Sequence, residues 1–326
     1  MTDPNPTTDS LALSVVIPMY NEEESLPHLL ARLSAVLDGV TTAYEIVFVD
    51  DGSTDGSAAL VSGWVKENPR IVLVRQRANF GKSVALNTGF GVARGEVIIT
   101  MDADLQDEPN EIPTLLTKLD EGYDLVTGLR SNRSVNDPLS KRIPSKVANG
   151  LTRWASGVPL RDMNSGFKAY RRELTQTLRL HGGLHRYVPV LAHYKGFKVV
   201  EQPVSHNPRQ YGKSKYGPAR FVSSLYDLMT VLFLSRFRDR PLHLFGTVGA
   251  LSGGLGVLIS LYLSLVWLFT DEDIGTRPLL TLGVLLIIVG VQFVSLGLIA
   301  DLIISLDRNR DNPTATVRRI ERHPDA

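Results

Sequence analysis

Two stretches without a charged side chain, Leu244 to Thr270 and Leu279 to Ala300, limit what this 326-residue chain can fold into. Each meets the roughly 20 apolar residues needed to cross a hydrocarbon core, and only Asp271 to Pro278 separates them. The expectation is a two-span helical hairpin over 241–305 with both ends on one side of a membrane. Spans this long exceed ordinary core helices, which argues against a hairpin buried in a soluble domain. Arg236, Arg238 and Arg240 precede the first span, and Arg308, Arg310, Arg318, Arg319 and Arg322 follow the second. The connecting loop holds Asp271, Glu272 and Asp273 against Arg277. Basic flanks mark the cytoplasmic side, so both termini are expected in the cytoplasm, on an inner or plasma membrane.

The rest of the chain reads as a soluble α/β domain. A net charge of +1, with no strongly basic face interleaved with aromatics, gives no ground for nucleic acid as a partner. The absence of cysteine excludes disulfides, thiolate catalysis and cysteine-ligated metal. The first ten residues are polar and lack the basic start and apolar core of a signal peptide, and residues 1–11 read as a disordered leader. Residues 306–326 read as a basic cytoplasmic tail.

Leu13 to Pro18 and Glu45 to Val49 are short apolar runs, the first ending in a Pro-containing turn and the second at Asp50-Asp51-Gly52-Ser53. Between them Leu26, Leu29, Leu30, Leu33 and Leu37 recur at helical spacing. Further strands are expected at Ile71 to Val74, Val97 to Met101 and Leu125 to Thr127, with a helix over Ser83 to Arg94. Repeated β-α units of this kind predict a Rossmann-like, mostly parallel, doubly wound sheet over 12–217. Ligands of such sheets bind beyond the carboxyl ends of the strands. Here those ends carry Tyr20-Asn21-Glu22, Asp50-Asp51 and Asp102-Ala103-Asp104, so three acidic clusters are expected to converge.

Asp102 and Asp104, with Gln106, form the sharpest constellation. Two carboxylates one residue apart on a turn can offer hard oxygens to Mg2+ or Mn2+ while a diphosphate supplies others. Turns favour Asp in any case, so the pair alone is equally compatible with a solvated turn.

The wider pattern is more specific. Val15-Val-Ile-Pro-Met-Tyr-Asn-Glu22, Val49-Asp-Asp-Gly-Ser-Thr-Asp-Gly56, Asn79-Phe-Gly-Lys82 and Met101-Asp-Ala-Asp-Leu-Gln106 follow one another in the order and spacing of the inverting family 2 glycosyltransferases with the A-type nucleotide-sugar fold. Gly128-Leu-Arg130, Asn164-Ser-Gly-Phe-Lys168 and Arg209-Gln-Tyr-Gly-Lys-Ser-Lys215 extend the resemblance to the branch of dolichyl-phosphate mannose synthase and bactoprenol glucosyltransferase. With the hairpin it covers roughly residues 12 to 305.

The resemblance implies roles. Pro18, Tyr20, Glu22, Val49 and Asp51 match residues that hold the nucleoside; Asp102, Ala103, Asp104 and Gln106 match the metal and diphosphate turn. Arg130, Arg209 and Lys215 match cations around the phosphates. The implied acceptor is a polyprenyl phosphate, and the implied reaction is metal-dependent transfer of a hexosyl group with inversion, from UDP-glucose or GDP-mannose in the first instance. The same pocket residues would equally take a UDP-N-acetylhexosamine or an arabinose analogue. Gly212 and Gly217 favour a loop around Arg209 and Lys215 that closes over a phosphate; a basic juxtamembrane segment drawn to anionic membrane lipid is the other reading, and both can hold.

Phe221, Leu225, Leu228, Met229, Leu232 and Phe233, near helical spacing within 218–240, predict either an amphipathic helix in the membrane interface or one packed on the sheet. Gly249 and Gly253 form a small-xxx-small pair for helix packing, within the hairpin or in a homo-oligomer. His185, His193 and His206 fall in no motif.

Other motifs fail. Gly81-Lys82-Ser83 resembles the end of a P-loop, but Gln76 stands at the required earlier glycine. No Gly-X-Gly-X-X-Gly follows the first strand, against a dinucleotide oxidoreductase. The Gln-X-X-Arg-Trp signature of processive polysaccharide synthases is broken by Gly150 ahead of Arg153-Trp154. The remaining alternatives are a transferase to another membrane lipid, whose hydroxyl would need a base, and a catalytically silent nucleotide-binding anchor or transport partner.

Overall fold

The computed structural model describes residues 11–130, 150, 152–153, 156–208, 226, 229–231, 233, 241–270 and 278–308. The chain divides into two compact units, Met1–Val231 and Leu232–Ala326.

The first unit is built on a seven-stranded sheet ordered β3-β2-β1-β4-β6-β5-β7. Its strands are β1 (Leu13–Met19), β2 (Tyr44–Asp50), β3 (Ile71–Arg75), β4 (Val97–Thr100), β5 (Leu125–Arg130), β6 (Lys168–Arg171) and β7 (Val199–Val204). The helices α1 (Leu26–Val40), α2 (Ser57–Glu67), α3 (Lys82–Val92) and α4 (Ile112–Asp120) cover its faces, followed by the short α5 (Arg172–Thr177) and α6 (Val188–Tyr194).

Every residue of β2 is buried, and so is all of β1 but Pro18. Strands covered on both faces need such continuous apolar runs, which is why these two are legible as sequence. Leu26, Leu29, Leu33 and Leu37 form the buried face of α1, and Ile112, Leu115 and Leu119 that of α4. Phe48 and Phe167 are bulky sealed side chains in the core with them, whereas the sealed Tyr170 packs edge-on against Phe90 of α3.

Strand order places the site. From β1 the chain steps outward to β2 and β3, then returns to lay β4 against the other edge of β1, parallel to it. The direction of winding therefore reverses between β1 and β4, opening a crevice at their carboxyl ends. One strand departs from the parallel pattern: β6 runs antiparallel between β4 and β5. It brings Lys168 beside Thr100 and Thr127, immediately behind the turn that follows β4.

Among the described residues the second unit holds two helices long and apolar enough to cross a membrane, α7 (Pro241–Thr270) and α8 (Pro278–Arg308). Their seam is made of glycine. A Cβ built on Gly249 would lie 2.6 Å from the Gly290 carbonyl oxygen, and one on Gly256 would lie 2.5 Å from that of Gly283. Ser252 Oγ adds a hydrogen bond to the Leu286 carbonyl at 3.0 Å, and Phe245 stacks on Phe293. Small residues let backbones approach where lipid offers no hydrophobic drive. The Gly249 position thus serves packing inside the hairpin, leaving the homo-oligomer expectation without that support. Leu251, Leu258, Trp267, Phe269 and Ile303 are exposed, as lipid-facing side chains would be.

Candidate active site

Each strand end contributes a turn pinned by its neighbour. After β1, Asn21 adopts φ 53°, a left-handed conformation that Asn tolerates. Its side-chain oxygen accepts from Thr54 N–H at 2.7 Å, and its own N–H donates to Ser53 Oγ at 3.0 Å. Glu22 N–H donates to Ser57 Oγ at 2.9 Å. The β1 and β2 turns therefore stand as one wall.

Asp51 ties in a third segment. Its N–H donates to the Met19 carbonyl at 2.9 Å. Its two carboxylate oxygens accept separately from Phe80 N–H at 2.8 Å and Gly81 N–H at 2.9 Å. Burial pushes this carboxyl up; the two N–H groups oppose the shift and Asp50 adds to it, leaving it above the usual range. Gly52, at φ 76°, is required here because a Cβ would meet the Ala78 carbonyl carbon at 2.7 Å.

Held by Asp51, Gly81 starts α3 and aims Lys82 across the crevice, where its ammonium bonds Asp102 Oδ1. Burial works against the charge on Asp102, but Lys82, with Lys168 and His185 beyond it, holds the carboxyl below its ordinary value. Asp104 Oδ1 accepts from Gln106 N–H at 3.2 Å. Between them Leu105 is buried at φ 59°, a conformation costing a leucine about 1–2 kcal/mol. Strain of this kind concentrates where a turn is over-determined by its surroundings, as at functional sites.

Behind the turn, Lys168 is sealed in the sheet and its ammonium bonds the Ser165 carbonyl. Burial, reinforced by Lys82, pulls it down to about 7. His185 faces the same group of charges; burial first, then Lys82, Arg186 and Lys168, drive it down to about 2.

These segments enclose a cavity of about 690 Å³. Seven of the residues singled out from the sequence line it: Pro18, Tyr20, Glu22, Asp51, Asp102, Ala103 and Asp104. Val49 does not; its side chain is sealed one residue before the end of β2. Gln106 does not either; its amide reaches the Asn207 carbonyl at 3.4 Å, joining the turn to the segment after β7. Arg130 is engaged in a fork with Asp162, Nε to Oδ2 at 2.6 Å and Nη2 to Oδ1 at 2.8 Å. Burial opposes its charge, but the Asp162 carboxylate raises it above an ordinary guanidinium. Arg209 and Lys215 lie outside the described residues, as does most of 218–240, where Tyr226, Met229 to Val231 and Phe233 are helical.

Among the lining residues to which the sequence assigns no role are Asn79, Gly81, Lys82 and His185. The first three sit in a motif that had been noticed without a role. His185 had no local signal.

The mostly parallel sheet with its covering helices has the A-type glycosyltransferase fold, and the cavity lies at its β1/β4 reversal. The chain belongs to glycosyl transferase family 2, whose family model matches residues 14–179. Within that family its relatives are polyprenyl-phosphate sugar transferases. It is 36% identical over 321 residues to the dodecaprenyl-phosphate galacturonate synthase of Rhizobium johnstonii, covering 97% of this chain and 95% of that protein. It is 36% identical over 298 residues to the undecaprenyl-phosphate 4-deoxy-4-formamido-L-arabinose transferase of Aeromonas hydrophila, covering 91% of this chain and 89% of that one. Among solved structures it resembles glucosyl-3-phosphoglycerate synthase from Mycobacterium tuberculosis in complex with Mn2+ and uridine-diphosphate-glucose. That match has a TM-score of 0.52 at 21% identity over 68% of this chain and 78% of the other, a likeness of fold.

Proposed function

We propose that the catalytic unit binds a nucleotide sugar in this cavity and transfers the glycosyl group, with inversion, to a polyprenyl phosphate at the cytoplasmic face of the membrane. The observation that carries this reading is the opposition of Lys82 to the Asp102–Asp104 turn across the cavity. The nucleoside would lie against Pro18, Tyr20, Glu22 and Asp51, where a carboxylate can accept from a base N–H or a ribose hydroxyl and Tyr20 can stack.

The donor set fits Mg2+ or Mn2+. Asp102 and Asp104, whose carboxylates are hard oxygen donors, both line the cavity. Among the described residues no group of three or more His, Cys, Asp or Glu side chains forms a cage of its own. Such an incomplete set suits a cation that arrives with a diphosphate supplying the remaining oxygens. Bound there, the ion would neutralise charge on the departing nucleoside diphosphate.

The acceptor needs little activation. A phosphate monoester with a second pKa near 6 is largely dianionic at neutral pH, so its oxygen can attack the anomeric carbon without a strong base. Lys82 would hold the Asp102 carboxylate in place, and Arg209 and Lys215 would gather the acceptor phosphate. The leader, catalytic region 12–217, juxtamembrane segment 218–240, hairpin 241–305 and tail divide these tasks, with the basic flanks setting both termini in the cytoplasm.

The names of the relatives add a uronic acid to the donor question and bring a formamido-arabinose forward beside glucose and mannose. Purified protein given UDP-glucose, GDP-mannose, UDP-galacturonate and UDP-linked 4-deoxy-4-formamido-L-arabinose should consume one of them in the presence of Mn2+ and none with EDTA. NMR of the product should show the inverted anomer. Retention, or turnover indifferent to EDTA, would refute the mechanism.

A further inference from the structure

The cavity wall carries a histidine, His185, whose protonation is set by its neighbours. Ser83, in the first turn of α3, donates its one hydroxyl hydrogen to the Gly182 carbonyl at 2.8 Å. Its lone pairs are then left to accept, from His185 N–H at 3.2 Å and from the ring Nδ1 at 2.9 Å. A single proton on Nδ1 satisfies this arrangement, and the neutral ring then keeps a bare lone pair on Nε2.

Nε2 makes no hydrogen bond among the described residues. It is not one of the sealed polar atoms lacking a partner, and His185 is a lining residue of the cavity. Burial and the surrounding Lys82, Arg186 and Lys168 keep a second proton off the ring, while Asp102 is the one neighbour that favours it. The ring is thus an acceptor that stays neutral beside the Asp102 end of the cavity.

We infer that His185 Nε2 accepts a hydrogen bond from a hydroxyl of the donor's glycosyl group, making His185 a specificity residue. This rests on the nucleotide-sugar reading above. A diphosphate or a carboxylate has no hydrogen to offer and would set lone pair against lone pair. The sugar hydroxyls are the donors that a ligand would bring to this end, next to the turn that faces its diphosphate. A site built to bond a hydroxyl discriminates against ligands that lack it, because the buried acceptor is then left unpaired.

The test is calorimetric binding to full-length protein in detergent with Mn2+. Wild type, His185→Phe and His185→Gln are titrated with UDP, UDP-glucose and UDP-galacturonate, and with GDP and GDP-mannose. For the nucleotide that wild type binds, His185→Phe should weaken the sugar conjugate about 3–10-fold relative to the bare diphosphate, the loss expected for one neutral hydrogen bond. Affinity for the bare diphosphate and the Mn2+ requirement should not change. His185→Gln, which restores an acceptor near Nε2, should recover most of the difference. The inference is overturned if His185→Phe leaves that ratio intact, or if it weakens bare diphosphate or Mn2+ as much as the conjugate. Failure of wild type to bind any nucleotide would instead sink the proposed function.

Discussion

Gly166 lies against the Asp102 carboxylate: a Cβ built on it would come within 2.6 Å of Oδ1 and 2.7 Å of Oδ2. The Gly166 carbonyl is itself held by Thr100 Oγ1 at 2.8 Å, so the glycine cannot retreat without disturbing the end of β4. The Asn164–Lys168 motif, far from the Asp102 turn in sequence, thereby provides its clearance.

Gly166→Ala should consequently displace Asp102 rather than unfold the chain. Disturbing what orients a metal ligand typically costs about 10–100-fold in metal affinity or activity. The Mn2+ concentration for half-maximal turnover should rise accordingly, with the melting temperature nearly kept. An unchanged Mn2+ dependence would show that Asp102 has other room.

Asp51 holds Phe80 and Gly81 through separate oxygens, so Asp51→Asn must turn an amide NH2 towards one of those N–H donors. A buried donor left without an acceptor costs about 1–3 kcal/mol. The variant should melt lower and, with the Lys82 segment displaced, bind nucleotide about 10-fold more weakly by calorimetry, reflecting the same lost bond.

How much of this was readable beforehand depended on how local each determinant is. β1, β2 and the leucine stripe of α1 announce themselves because burial on a strand or helix face repeats along a few residues. β6 does not: its four residues, Lys-Ala-Tyr-Arg, begin and end with charge, and only the gap between β4 and β5 makes them a strand. The acidic turns were legible as strand ends. The Arg130–Asp162 fork was not, being a pairing across 32 residues that no spacing rule encodes. Val49 is a match by motif resemblance, and its side chain is sealed near the end of β2. His185 acquires meaning only from Ser83, 102 residues away.

Stability of the catalytic unit should fall on acidification. His185 takes up a proton near 6.5 when unfolded but only near 2 when folded. Between those values the unfolded chain binds more protons, so folding loses ground as pH drops through about 6.5. Melting temperatures at pH 8 and pH 5 should separate for wild type and separate less for His185→Phe. Equal separation would mean that His185 is protonated in the folded protein.

In the hairpin, two neighbouring glycines differ in clearance. Gly249 abuts Gly290, whereas a Cβ on Gly254 meets nothing within 4 Å. Gly249→Ala should destabilise the helix pair by about 1–3 kcal/mol, as overpacking does, and Gly254→Ala should be neutral in detergent melting. Matching effects would contradict the seam.

The most direct test is acceptor choice. Purified protein with Mn2+ and a radiolabelled donor is offered a short polyprenyl phosphate, the corresponding polyprenol and a diacylglycerol, alongside Asp104→Asn. Label should enter lipid only with the phosphate, and Asp104→Asn should lose metal-dependent turnover. Label on the polyprenol or diacylglycerol at comparable rates, or full metal-dependent activity in Asp104→Asn, would contradict the account.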